Sequence, residues 1–255
     1  MRHGKAYRNA LGQIDRERLY SPVEAMQTLK NFQTAKFDET VEAHFRLGLN
    51  VRHADQQLRG TLMLPHGTGR EVRIAVFADG DKAREAEEAG ADVVGTADLG
   101  KRIEEGFDDF DVAIATPDQM GVVGRLGRIL GPRGKMPNPK TGTVTFEVGK
   151  AVQDAKAGKL EYRTDREANV HVTIGKKSFG TRQLVENYAA LIEEIVRVKP
   201  AAAKGRYIRG ITLTSTMGPG VHVDPARTRG ILEELDDSAS DSADAESPME
   251  AAAQA

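Results

Sequence analysis

Because the chain has no cysteine, only its six histidines (His3, His44, His53, His66, His171 and His222) and its carboxylates could hold a transition metal. No two histidines stand three or four residues apart, the spacing that places two ligands on one helix face. No metal site and no cofactor is expected, and disulfides and thiol nucleophiles are excluded outright. None of the serines Ser21, Ser178, Ser215, Ser238, Ser240, Ser242 and Ser247 lies in Gly-x-Ser-x-Gly. Gly121, Gly124 and Gly127 follow an apolar segment but lack the Gly-x-Gly turn that admits a pyrophosphate, so close helix packing is their expected role. Gly131-Pro132-Arg133-Gly134-Lys135-Met136 looks like a phosphate loop, yet Ile129 stands five residues before Gly134 and Met136 replaces the metal-binding hydroxyl. A nucleotide- or sugar-phosphate-binding α/β enzyme remains the alternative to a binding protein, and it lacks identifiable acid-base residues.

Two stretches suit binding better than catalysis. Arg125, Arg128, Arg133, Lys135 and Lys140 occur with no acid between Asp118 and Glu147, and the prolines and glycines of 131–139 should hold this loop stiff and exposed. It reads equally as a solvated basic loop or as a second RNA-facing patch. In Thr212-Leu213-Thr214-Ser215-Thr216-Met217-Gly218-Pro219-Gly220, the threonines share one strand face with Ile208 and Gly210, opposite Ile211, Leu213 and Ser215. That row is either a β-prone edge strand or a line of hydroxyls for phosphate and ribose 2′-OH groups, with a turn that RNA backbone can approach.

Charge is segregated. The net charge is −2, but beyond Arg229 there are eight acids and no base, and the remainder carries +6. Residues 67–158 carry −3, which leaves +9 on the two flanking parts, a sign suited to phosphate backbone. No apolar run is long enough to span a bilayer or serve as a signal peptide, so a cytoplasmic protein with no membrane partner is expected.

The elements that must position these residues fall into two textures. Between 71 and 130, short apolar runs (Val72 to Ala78, Asp92 to Val94, Asp111 to Ala115) alternate with helical stretches at 82–89, 101–105 and 120–130. That alternation predicts parallel strands and a small doubly wound α/β domain. Outside it, Ser21-Pro22-Val23-Glu24 forms a helix start, and Val41, Ala43, Phe45, Leu47 and Leu49 alternate with Thr40, Glu42, His44 and Arg46. Val170, Val172 and Ile174 repeat the alternation, and an apolar stripe from Leu184 to Val196 ends before Pro200. Neither flank closes a core alone. The expectation is a split α+β domain (1–66 and 159–232, an antiparallel sheet with helices) into which a Rossmann-like α/β domain (67–158) is inserted through a hinge, followed by a disordered acidic tail (233–255).

Three motifs in order, Lys36-Phe37-Asp38-Glu39-Thr40-Val41-Glu42, Gly131 to Val144, and Thr214-Ser215-Thr216-Met217-Gly218-Pro219, resemble the bacterial ribosomal protein L-one family of the large-subunit stalk. The resemblance runs to about Pro225. It implies a non-enzymatic protein whose split domain binds stalk ribosomal RNA through Phe37 and its neighbours on one side and Thr216, Met217 and Gly218 on the other. Lys36, Glu39, Thr40, Glu42, Arg163, Arg166, Asn169, His171, Thr214, Pro219 and Gly220 would complete the surface. Phe37 would pack on a ribose or base, Met217 would shield buried hydrogen bonds, and the glutamates would accept 2′-OH protons. It further implies a monomer off the ribosome, assistance to the release of deacylated exit-site tRNA, and repression through the protein's own mRNA leader. His222 stands where the family would place a permanent cation.

Overall fold

The computed structural model describes residues 3–228, 230 and 231; the acidic tail expected over 233–255 lies outside them. In chain order the elements are α1 (Lys5–Leu11), α2 (Pro22–Asn31), β1 (Thr40–Leu47), β2 (Arg59–Met63), β3 (Ile74–Phe77), α3 (Asp81–Glu88), β4 (Val93–Gly95), α4 (Ala97–Glu104), β5 (Val112–Ala115), α5 (Met120–Arg125), α6 (Gly127–Leu130), α7 (Val148–Lys156), β6 (Lys159–Arg163), β7 (Asn169–Lys176), α8 (Thr181–Arg197), β8 (Ile208–Ser215) and β9 (Val221–Val223). The result is a mixed α/β protein that divides into two compact units, one of residues up to 58, 64–69 and from 163 on, the other of 59–63 and 70–162.

The first unit is built on an antiparallel sheet of order β7-β1-β8-β9. Period-two alternation works as expected on its central strand: Val41, Ala43, Phe45 and Leu47 are buried, while Thr40, Glu42, His44 and Arg46 face the open side. Helices α2 and α8 pack on the buried face and on each other. Their stripes (Val23, Met26 and Leu29; Leu184, Tyr188, Leu191 and Ile195) complete the core, with the rings of Phe45 and Tyr188 stacked 6.4 Å apart. At the start of α2, Glu24 N–H donates to Ser21 Oγ at 3.2 Å and Ser21 N–H donates to Glu24 Oε2 at 3.3 Å, the reciprocal cap expected from the sequence.

The pairing corrects one face assignment. Arg46 sits opposite Gly210, but Leu47 sits opposite Ile208, so Arg209 bulges outward. This extra residue turns Ile208 into the core, away from the threonine face on which strict alternation placed it.

The second unit holds the parallel sheet β4-β3-β5. Its two faces carry separate cores: Ala75 and Phe77 meet Leu99, Ile103, Val123 and Leu130, whereas Ile74 and Val76 meet Ala86, Val148 and Val152. The unit boundary differs from the expected crossings near 66 and 159. Arg59–Met63 pairs with Lys159–Arg163 as a two-stranded ribbon, which assigns both segments to 162 to this unit. The helical stretch expected over 120–130 breaks at Leu126 into α5 and α6. Close packing at Gly121, Gly124 and Gly127 is not found, since a Cβ at each would meet nothing within 4 Å.

Because Ser21 is buried and caps the helix that roofs the sheet, Ser21→Ala should lower the unfolding free energy by about 1 kcal/mol, read from the denaturant midpoint at unchanged slope.

Candidate nucleic-acid interface

The expected surface assembles at the end of the antiparallel sheet where β1 begins and β8 finishes. Glu39 organises it, although its carboxylate is buried (1% exposed). That carboxylate accepts hydrogen bonds from Thr34 Oγ1 (2.9 and 2.7 Å), Met217 N–H (2.9 Å) and Ser215 Oγ (3.4 Å), and pairs with Lys177 Nζ at 3.2 Å. Lys177 Nζ also donates to Phe32 O, and Lys177 N–H to Glu39 O at 2.8 Å. The chain on either side of Glu39 is tied down as well: Asp38 accepts from Ser178 N–H at 3.0 Å and Ser178 Oγ at 2.7 Å, and Lys176 Nζ donates to Thr40 Oγ1 at 3.0 Å. Three segments, 34–40, 176–178 and 214–218, are thereby locked together. Burial by itself pushes the Glu39 carboxyl upward, but the Thr34, Met217 and Lys177 contacts outweigh it and hold the group below the ordinary carboxylate range.

What this locking leaves at the surface is the pair Phe37 and Met217, 57% and 54% exposed. Lys36 is exposed beside Phe37. Thr216 joins the two rims, since its Oγ1 accepts from Thr40 N–H at 3.0 Å and lies 3.3 Å from Thr40 O. Thr214 Oγ1 donates to Ser215 O and Gly218 O at 3.0 and 3.3 Å, fixing the turn. Gly218 is needed for that turn, because a Cβ there would lie 2.4 Å from Ser215 Oγ; at Gly220 it would lie 2.7 Å from Thr212 Cγ2. Two of the expected contact residues, Glu39 and Pro219, are buried, so their side chains support the surface in this structure. Sequence reasoning missed Thr34, Asp38, Lys176, Lys177 and Ser178. Their polar character is ordinary: Thr34 and Asp38 lie in Glu39's own loop, and the β1–β7 pairing of Thr40 with Lys176 brings Lys176, Lys177 and Ser178 to it.

At the other end of β7, Arg163 and Arg166 are exposed. Asn169 is spent on structure: its backbone N–H and Nδ2 donate to Asp165 at 2.7 and 3.1 Å, closing the turn before β7. His171 and Glu42 lie on the open face of the sheet, on β7 and β1.

The five basic residues between Asp118 and Glu147 separate into two groups. Arg125, Arg128 and Lys140 are exposed. Arg133 and Lys135 instead pair with Asp108 at 3.0 and 2.7 Å, and Lys135 also donates to Phe110 O at 2.6 Å. The loop lacks acids in sequence, but folding supplies one from the turn before β5, and Lys135 braces the loop against it. The expected stiffness is present: Asn138 Oδ1 accepts from Lys140 N–H at 2.8 Å, and Thr143 Oγ1 accepts from Asn138 N–H at 2.8 Å.

Fold and site together define a mixed α/β protein whose antiparallel sheet presents hydroxyls, cations and two fixed apolar side chains. Among the described residues no group of three or more histidines and carboxylates could hold a metal ion. The model of the Ribosomal protein L1p/L10e family matches residues 29–219, and the chain belongs to this family of ribosomal proteins. It is similar to proteins named large ribosomal subunit protein uL1: that of Frankia alni is 58% identical over 92% of this chain and 98% of the relative. That of Thermobifida fusca is 60% identical over 90% and 97%, and that of Rubrobacter xylanophilus 61% over 89% and 99%.

Glu39→Ala would leave the half-buried Lys177 ammonium without its counter-charge and the Met217 N–H without its acceptor, so it should destabilise the fold by about 2 kcal/mol near neutral pH. Because the folded-state carboxyl titrates below its unfolded value, this contribution is whole above the ordinary carboxylate range and lost as pH falls through the folded value. Denaturation curves of the two proteins should accordingly converge in acid.

Proposed function

We propose that this chain is a structural, non-enzymatic constituent of the large ribosomal subunit in the cytoplasm, and that it binds the stalk region of large-subunit ribosomal RNA through the antiparallel unit. The observation that carries this reading is the clamped pair Phe37 and Met217: large apolar side chains held out to solvent around the buried Glu39 carboxylate suit stacking on a base or ribose. Around them Thr40, Thr214 and Thr216 offer hydroxyl groups to 2′-OH and phosphate, Glu42 offers a carboxylate to 2′-OH, Lys36, Arg163 and Arg166 supply cations, and His171 offers a ring nitrogen. Family membership and the names of the relatives support the ribosomal assignment.

The finer parts rest on the family resemblance. In this reading the parallel unit is a Rossmann-like domain inserted into a split RNA-binding domain, with Arg125, Arg128, Arg133, Lys135 and Lys140 as its second RNA patch, Arg133 and Lys135 also pairing with Asp108. The protein assists release of deacylated tRNA from the exit site, represses translation from its own mRNA leader, and is a monomer off the ribosome. No observation favours a nucleotide- or sugar-phosphate-binding enzyme.

Binding to the stalk RNA segment and to an unrelated duplex, across a salt series, tests the central part. Phe37→Ala and Thr216→Val should each weaken stalk binding by about 1–3 kcal/mol and leave duplex binding unchanged. Equal affinity for both RNAs, or no effect of either substitution, would overturn the assignment of the site.

A further inference from the structure

The open face of the antiparallel sheet carries a groove of about 730 Å³, and across it runs a row of three histidines on three different strands. Register places His44 opposite both His171 and Thr212, and Thr212 opposite His222. The two Nδ1 atoms of His44 and His171 are 2.9 Å apart, a hydrogen-bond distance at which one ring must donate and the other accept. Their outer nitrogens both face carboxylates: His44 Nε2 lies 3.7 Å from Glu42 Oε2, and His171 Nε2 lies 3.4 Å from Asp165 Oδ2.

Counting protons over these four nitrogens identifies the state for which the site is shaped. A neutral pair holds two, one bridging the Nδ1 atoms and one on the acceptor ring's Nε2, so the donor ring turns a bare nitrogen toward a carboxylate. A third proton satisfies every contact. A fourth would set two N–H groups against each other. The arrangement therefore fits a pair with a single positive charge. Burial, together with the neighbouring His171 and against the pull of Glu42, lowers the proton affinity of His44 and makes it the acceptor.

The surroundings point to an anionic ligand. Arg46 on β1 and the bulged Arg209 on β8 line the groove, both exposed, and neither has a hydrogen-bonding or ionic partner among the described residues. Arg206 borders it with Nε donating to Ile208 O at 3.2 Å, and His222 on β9 faces Thr212 Oγ1 at 3.2 Å. Among the described residues, Glu42 and Asp165 are the acids set against the pair, each on the outer side of one ring.

We propose that this groove is a proton-linked subsite for RNA backbone phosphate, in which the His44–His171 pair takes up one proton as the phosphate enters between Arg46 and Arg209. The inference rests on the RNA-binding reading above and specifies how that surface is regulated. An incoming phosphate stabilises the charged pair, so the bound protein holds the third proton more tightly than the free one. Affinity then rises as pH falls through the interval between the two states and is flat above it.

The test is the affinity of the full chain for the stalk RNA segment at pH 8.0 and pH 6.0 at fixed ionic strength. Wild type should bind about tenfold more tightly at the lower pH, with a salt dependence steeper by about 0.9 in log–log slope, the mark of one more phosphate contact. His171→Gln and His44→Gln should each abolish the pH 6.0 to pH 8.0 ratio, whatever their affinity at pH 8.0, and His222→Gln should keep it. Nitrogen-15 NMR of the free protein should show the two rings gaining one shared proton. Rings that titrate independently, or a ratio that persists without His171, would overturn the proposal. Specific binding that is equal at both pH values would overturn it and leave the RNA reading standing. Absence of specific binding at either pH would overturn the RNA reading and this subsite with it.

Discussion

The surface at the end of the antiparallel sheet depends on one buried carboxylate. Glu39 lies where three segments meet, and each contributes a donor: Thr34 from its own loop, Lys177 from the end of β7, and the Met217 amide from the turn after β8. A buried charge is tolerable only when its lone pairs are satisfied, so the carboxylate cannot relax without exposing or abandoning its partners. The geometry of the exposed residues follows from that requirement. Phe37 is two residues from Glu39, and Met217 hangs on the amide that Glu39 holds. Both side chains are more than half exposed, and the backbone that carries them is held by the buried Glu39.

The rest of the face is set by register. With Val41, Ala43, Phe45 and Leu47 committed to the core, Glu42, His44 and Arg46 have no choice of side. Partner strands then decide which groups meet. Pairing of His44 with His171 and with Thr212 aligns residues from distant parts of the chain in a single row, and the extra residue at Arg209 adds a cation to that row's edge while sending Ile208 inward. The polar face is thus a by-product of apolar packing on the other side, and its chemistry cannot be altered by shifting a strand without exposing the core.

The division between what was legible in the sequence and what was not follows the range of the interactions. Local signals held: the reciprocal cap of Ser21 and Glu24, the alternation of β1, and the strand and helix succession of the parallel unit all lie within a few residues. The motif around Phe37 and that around Met217 were both visible, and the structure brings them together. What could not be read was the role of residues whose partners are distant in the chain. Glu39 reads as a surface acid until Lys177 is placed beside it. Lys135 reads as a free cation until Asp108 closes on it. Arg59–Met63 lacks the apolar run or alternation that marks a strand, and it is one because Lys159–Arg163 pairs with it. Spacing alone points to packing at the glycines of 121–127, whereas the glycines that leave no room for a Cβ lie elsewhere, Gly218 and Gly220 among them.

The dependence of the exposed pair on a buried acid is most directly tested by amide hydrogen exchange at Met217 in wild type and Glu39→Gln, with stalk RNA affinity measured on the same samples. The glutamine keeps the volume of the side chain but removes the charge that Lys177 requires. The account predicts a folded variant in which the Met217 amide exchanges faster and specific affinity falls by about tenfold or more, with binding to an unrelated duplex unchanged. A Met217 amide freed to exchange with stalk affinity intact would contradict it, because the RNA surface would then not need the carboxylate that holds it.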